Sequence, residues 1–380
     1  MRDFYFGLDL GHYEVKFSIL EEDNTGKFIT YNQSLKNEYL KEGEILENES
    51  LINLLENLFY NTLESLNINK INSISVCFNF PYLQSYIQKS HSIIENNVKK
   101  DDIKKAINTA RTSLIINNQE ILVEEPLKFI LDNNQEIRDP LGFNARRLDV
   151  EVLFIGCHKT ILNKIRNILY ELKIGQINFL PSFYASSKVC LNKKDKEIGV
   201  GILDLGSEIT TLAIFQYGKL VNYKTFNFGG ATLTEDLAMY LKIDIEEAEK
   251  LKLDFFNNQL SKDKKKNLKI KKFIEKKIKD YFDKNNLRNY LKDIKNKYRL
   301  PAGIVLTGGS ARIINLDGLL KNIFDIQIRL PKNDLEIFEK TDDILKYSGS
   351  VGCALIEKEI NHETKNDWFK KLKDIFTFRY

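Results

Sequence analysis

Asp9 and Asp204 stand at the ends of two near-copies of one pattern. Gly7-Leu8-Asp9-Leu10-Gly11 has apolar Phe4 and Phe6 before it and Val15, Phe17 and Ile19 after it. Ile202-Leu203-Asp204-Leu205-Gly206 has Val200 before it and Ile209, Leu212, Ala213, Ile214 and Phe215 after it. Each copy reaches a Gly-Lys turn, Gly26-Lys27 or Gly218-Lys219, and then a third apolar run at 28–31 or 220–226. A strand ending in Asp-Leu-Gly that turns tightly and returns makes a hairpin tip. The tip exposes a carboxylate and glycine amides, which approach a phosphate closely. Two such tips facing each other could clamp the phosphates of a nucleotide, with Asp9 and Asp204 holding Mg²⁺ through water. Ile304-Val305-Leu306-Thr307-Gly308-Gly309-Ser310 adds a buried strand that runs into a glycine pair before a helix.

The elements behind these tips read as α/β. Residues 1–82 give the hairpin, a third strand, a helix near 49–66 and a strand at 71–80. Asp101 and Asp102 then open a helix over 98–112, with Ile103, Ala106, Ile107 and Ala110 on one face. Strand-like 120–124, 127–131 and 148–155 follow, so 83–155 reads as a small α+β insert. A helix at 159–172, a strand at 176–180 and a helix at 183–191 return the chain to the first lobe, and 193–197 reads as a charged linker. The expected lobes are 1–82 with 156–197 and 345–360, and 198–228 with 300–344. A helical subdomain at 229–299, a closing helix at 348–360, a polar linker at 361–366 and an amphipathic helix at 367–380 complete the plan.

A chain of 380 residues with 43% hydrophobic content buries a large core and divides into domains. Its formal net charge of +4 does not by itself imply a nucleic-acid partner. The charge is uneven: residues 261–299 carry about sixteen Lys or Arg against about five Asp or Glu. Cys77, Cys157, Cys190 and Cys353 are far apart in apolar surroundings, which predicts buried free thiols. Met1-Arg2-Asp3 enters a strand at once, so no signal peptide is expected, and no apolar run approaches the ~20 residues of a spanning helix.

The order of these motifs resembles the actin-like ATPase superfamily. Within it, Arg138-Asp139-Pro140-Leu141-Gly142, 147–152, 197–204, 228–234, Ala248-Glu249-Lys250-Leu251-Lys252 and 301–312 resemble the bacterial cell-division protein FtsA. The resemblance implies a two-lobed actin-like fold built from a duplicated α/β domain. It places Asp9 and Asp204 toward Mg²⁺, Gly11 and Gly206 toward the phosphates of ATP, Glu249 and Lys252 toward the ribose and base, and Gly308, Gly309 and Ser310 around the adenosine. It also implies the C-terminal peptide of the tubulin-like protein FtsZ as partner of 229–299, self-association through the insert, and recruitment of other division proteins, with no nucleic acid.

Departures from the family pattern bear on catalysis. Glu14 stands where a first-loop lysine is usual, and Ser207-Glu208-Ile209-Thr210-Thr211 replaces a Gly-Gly-Thr run. Two extra carboxylates would repel a triphosphate, since unit charges at ~4 Å cost about 4 kcal/mol at an effective dielectric near 20. No acid or amide in Pro181-Ser182-Phe183-Tyr184 stands ready to orient an attacking water. The expectation is nucleotide binding without enzymatic turnover, beyond slow residual hydrolysis. In the tail, Trp368, Leu372, Ile375 and Phe376 share a helical stripe that Phe369 broadens, flanked by Lys370, Lys371 and Lys373. Such a helix suits an anionic membrane surface and a peripheral place on the cytoplasmic face of the inner membrane. The alternatives are a PilM-like pilus-assembly scaffold and an active ATPase or kinase of the same fold.

Overall fold

Both Asp-Leu-Gly patterns fold as tips of antiparallel hairpins in the computed structural model. It describes residues 3–365 except 24–25, 42, 80–81, 115–116, 133–134, 257–263, 285–286, 314 and 339–340. The expected membrane-facing Trp368, Phe369, Leu372, Ile375 and Phe376 lie outside the described residues.

Strand β1 (Asp3–Leu10) pairs antiparallel with β2 (Glu14–Glu22), which continues to β3 (Phe28–Lys36). A two-stranded ribbon, β4 (Leu40–Lys41) and β5 (Glu44–Ile45), precedes α1 (Asn48–Ser65). This helix buries Leu51, Leu55, Leu58 and Phe59, an i, i+4, i+7, i+8 stripe, against the sheet. It delivers the chain to β6 (Ser73–Phe78), parallel to β1. The insert consists of β7 (Gln84–Ile93), α2 (Lys100–Ser113), β8 (Gln119–Leu131), β9 (Gln135–Ile137) and β10 (Arg147–His158), with sheet order β7-β10-β8-β9. Helix α3 (Lys159–Glu171) follows β10 without a loop, and β11 (Gln176–Pro181) completes a first-lobe sheet of order β11-β6-β1-β2-β3.

Helices α4 (Ser182–Cys190) and α5 (Lys193–Ile198) lead to β12 (Val200–Leu205), β13 (Thr210–Gln216) and β14 (Lys219–Phe226). Next come α6 (Gly230–Leu241), α7 (Ile245–Phe256), α8 (Lys264–Lys284) and α9 (Leu287–Lys297). Strand β15 (Ile304–Thr307), a 3-10 turn (Gly309–Arg312), α10 (Leu316–Phe324) and β16 (Ile328–Arg329) close a second sheet of order β14-β13-β12-β15-β16. The two sheets correspond strand for strand: an antiparallel meander, then two parallel strands on its other side. Asp9 lies opposite Lys16 and level with Cys77; Asp204 lies opposite Thr211 and level with Thr307. Helix α11 (Thr341–Lys365) lies between the lobes. Its Val351 and Ala354 join Tyr5, Leu20, Phe183, Ile202 and Phe215 in one apolar cluster drawn from both lobes.

Several elements differ from the sequence pattern. Residues 193–197, expected as a linker, form α5, because Asn192 Oδ1 accepts from Asp195 N–H at 2.8 Å and caps the turn. The expected strands at 120–124 and 127–131 are one strand whose register shifts at Leu127, beside Pro126. Strand β7 was not foreseen. Its face under α2 carries Gln88, Ser90 and Ser92, and Ser90 Oγ donates to Ala106 O, while Ile87 and Ile93 stay exposed. The usual apolar-inward alternation is therefore inverted. Helix α11 also begins earlier than 348 and continues through 361–365, expected as a linker. All four cysteines are free and buried.

Candidate functional site

Three separate stretches and one helix converge on a cavity of about 270 Å³ between the lobes. The β1–β2 tip brings Asp9 and Gly11, the β12–β13 tip Asp204 and Gly206, α7 Glu249 and Lys252, and the turn after β15 Gly308, Gly309 and Ser310. Every nucleotide-site residue expected from the sequence lines this one cavity.

The carboxylates set its electrostatics. Asp204 is buried, and Ser182 Oγ donates to its Oδ2 at 3.0 Å. Burial, and then the negative charge of Asp9, push the Asp204 pKa up to about 6. Lys16 Nζ donates to Asp9 Oδ2 at 3.0 Å. Burial opposes its charge most strongly, but the charge and hydrogen bond of Asp9, together with Glu14, outweigh it and the Lys16 pKa rises. Lys16 was missed in the sequence, where position 14 drew attention instead. The signal was the hairpin register, because residues directly opposite across a hairpin share a face. The lysine counted as lost at Glu14 is thus supplied two residues later. Two facing carboxylates, one of them short of charge compensation, fit a cation. Mg²⁺ takes one or two carboxylates plus phosphate oxygens and waters. Among the described residues no group of three His, Cys, Asp or Glu forms a fuller cage.

The two carboxylates expected to repel phosphate have neighbours of their own. Glu14 Oε2 lies 3.3 Å from Lys346 Nζ of α11. Glu208 Oε2 lies 3.3 Å from His12 Nε2, yet burial takes the His12 pKa down to about 4. At neutral pH the imidazole is uncharged, and its Nε2 accepts from Gly43 N–H at 3.1 Å, so this contact is not an ion pair. The threonines of the altered second loop are used within the fold. Thr210 Oγ1 donates to Phe228 O at 2.8 Å, and Thr211 Oγ1 to Asn79 Oδ1 at 3.1 Å across the lobes. Ser310 Oγ donates to Gly206 O at 2.9 Å and so fixes the tip.

Lys252 is buried, and its Nζ reaches Gly230 O at 3.0 Å, Thr234 Oγ1 at 2.8 Å and Glu249 Oε2 at 2.6 Å. Burial lowers its pKa against the pull of Glu249. The pair locks α7 onto the start of α6 at the cavity wall. Gly308 has φ +88, and a Cβ there would lie 2.5 Å from Leu205 O and 2.6 Å from Asp204 Oδ1. Gly349 of α11 was missed: its Cβ would sit 3.0 Å from Asp9 Oδ2. The small-residue run Ser348-Gly349-Ser350 inside a helix was the available signal. In the segment that would orient a water, Leu180 and Phe183 are buried in apolar clusters, and Ser182 is committed to Asp204.

Comparison with known proteins assigns the chain. The family model "Cell division protein FtsA" matches residues 201–352, and "SHS2 domain inserted in FTSA" matches residues 83–155. The chain belongs to the FtsA family. FtsA of Buchnera aphidicola subsp. Baizongia pistaciae is 26% identical, covering 96% of this chain and 94% of that protein. FtsA of Bacillus subtilis is 25% identical over 86% of this chain and 78% of its own length. Among solved structures, a PilM–PilN type IV pilus biogenesis complex superposes with TM-score 0.67 at 14% identity, over 93% of this chain and 98% of that chain. MreB5 of Spiroplasma citri bound to AMPPNP gives 0.51 at 15% identity, over 96% and 98%. These likenesses show that this chain has the actin-like fold; the MreB5 structure is bound to AMPPNP.

Proposed function

We propose that the chain is a cell-division scaffold that ties the FtsZ polymer to the cytoplasmic face of the membrane and associates there with copies of itself. The observation that carries this reading is the match to FtsA in both the second lobe and the insert. Anchoring falls to the tail. The support for this is the sequence of 367–380, whose Trp368, Leu372, Ile375 and Phe376 share a helical stripe that suits an anionic membrane surface.

FtsZ recognition falls to the helical subdomain. Ile270, Ile274, Ile278 and Phe282 of α8 are buried with Leu287, Leu291 and Ile294 of α9, so the lysines between them face outward. Met239, Tyr240 and Leu268 are exposed beside them. A basic surface with apolar anchors suits an acidic, partly apolar peptide. The cavity would take ATP: Asp9 and Asp204 would hold Mg²⁺, Lys16 and the Gly11 and Gly206 tips would face phosphate, and Glu249, Lys252, Gly308 and Gly309 would face the nucleoside. When bound, Mg²⁺ offsets the phosphate charge. With Ser182 bonded to Asp204 and no acid or amide in 181–184, the nucleotide would serve as a structural wedge. A pilus-assembly role has in its favour the shared fold and the Asp204-Leu205-Gly206-Ser207 tip with Thr210-Thr211. Calorimetry with an FtsZ C-terminal peptide tests the scaffold reading: binding should weaken as salt screens surface charge over ~8–10 Å. Unchanged affinity after neutralising the α8 lysines would refute it.

A further inference from the structure

The insert grows from the first lobe but is fastened to the second. Because β10 passes into α3 without a loop, the insert is stiffly continuous with the first lobe. Its other side lies on the β13–β14 hairpin. Val123, Leu153 and Ile155 share an apolar cluster with Phe215 and Leu220. The Glu125 carboxylate accepts from the Leu220 backbone N–H, and Lys219 Nζ sits 5.2 Å from the centre of the Phe129 ring. At the hairpin tip the Arg138 guanidinium lies 4.2 Å over the Tyr217 ring, and its Nη1 is 2.6 Å from Glu197 Oε1.

Strand β13 joins this clasp to the cavity. It is 7 residues long and buried throughout. One end, Gln216, adjoins Tyr217 under the clasp. The other end, Thr210 and Thr211, belongs to the tip that presents Asp204, with Thr211 directly opposite that aspartate. At ~3.3 Å per residue the two ends are about 20 Å apart. A buried strand paired on both sides does not bend freely, so displacement at one end is carried to the other.

We propose that the insert is a lever whose clasp on the β13–β14 hairpin reads the angle between the lobes, so that the cavity and the insert are energetically coupled. This rests on the reading that the cavity takes a nucleotide. A nucleotide that changes the lobe angle must strain or relax the clasp, because the insert is held by the first lobe through its strands and by the second through side chains. Coupling between sites is reciprocal, so breaking the clasp must alter nucleotide affinity by the factor with which nucleotide alters the clasp.

The test is calorimetry of Mg-ATP on the full chain and on the Arg138→Ala/Tyr217→Ala variant. Both substitutions are at the surface, and neither residue touches the cavity. The proposal expects affinity to differ by about fivefold or more; equal affinities overturn it. If the unaltered chain binds no Mg-ATP, the nucleotide reading fails, and hydrogen exchange of the same two proteins decides the coupling. Faster exchange at 10–14 and 206–209 in the variant sustains the lever. Faster exchange confined to 135–142 and 216–220 overturns it.

Discussion

Lys16 changes what the cavity between the lobes can do. Held 3.0 Å from Asp9, it places a cation beside the position expected for phosphate, which the loop sequence alone did not offer. Lys16→Met should weaken Mg-ATP binding by roughly 10- to 100-fold, the effect of losing a charge-assisted hydrogen bond of about 1.5–3 kcal/mol. Calorimetry measures this, and unchanged affinity would show that Lys16 serves Asp9 alone. Turnover is expected to stay below roughly 1 per second with or without Lys16, because within 180–184 Leu180 is packed in an apolar cluster and Ser182 is bonded to Asp204. The glycine pair separates fold from ligand. Gly308→Ala meets a left-handed φ and two oxygens, and should cost about 2 kcal/mol or more and lower Tm by several degrees. A Cβ at Gly309 meets nothing within 4 Å, so Gly309→Ala should leave the apo Tm unchanged while reducing the stabilisation that Mg-ATP confers. Thermal melts of both variants, with and without Mg-ATP, distinguish the two roles. Asp9, Asp204 and the glycines were legible in the sequence because a hairpin tip is a local pattern. Lys16 and Gly349 were not, because each depends on what lies across a strand or beneath a helix.

At the scale of elements, the seam between insert and second lobe holds ionisable groups that the fold does not fully compensate. Burial pushes the Glu125 pKa up to about 7, against the pull of Lys219 and the Leu220 N–H. Burial takes Lys196 down to about 7, its Nζ 5.1 Å from the Phe215 ring. The signs follow from proton linkage. Between pH 4.5 and 7 the folded state binds more protons at Glu125 than the unfolded chain does, so stability falls as pH rises. Between about 7 and 10 it binds fewer at Lys196, so stability rises again. The seam therefore predicts a stability trough near pH 7, on the order of 1–2 kcal/mol deep. Glu125→Gln should flatten the acidic limb and Lys196→Met the basic limb. Thermal melts across pH 5–9 test this, and a profile unchanged by either substitution would refute it. None of this was readable beforehand: Lys196 lay in an expected linker that became α5, and the packing of β8 on β14 is a long-range contact. The long amphipathic elements were legible, α1 and α2 above all, because their apolar spacing is set by their own turns. Strand β7 was not, since Ser90 and Ser92 lie beneath α2 where apolar residues are expected.

At the scale of the whole molecule, the duplicated sheets were visible as a repeated motif, and the two copies meet face to face across the cavity. The scaffold reading depends on residues 367–380, which lie outside the described residues. Cutting after Lys365 leaves every described element in place and removes the Trp368, Phe369, Leu372, Ile375 and Phe376 surface. The most direct measurement is flotation of the full chain, the cut chain and Phe376→Glu with anionic liposomes in the presence of FtsZ polymers. The account predicts that the full chain carries FtsZ to the floating fraction, that the cut chain leaves both in solution while keeping its Tm, and that Phe376→Glu loses most of the binding. Flotation of FtsZ with the cut chain at the level seen with the full chain would contradict it.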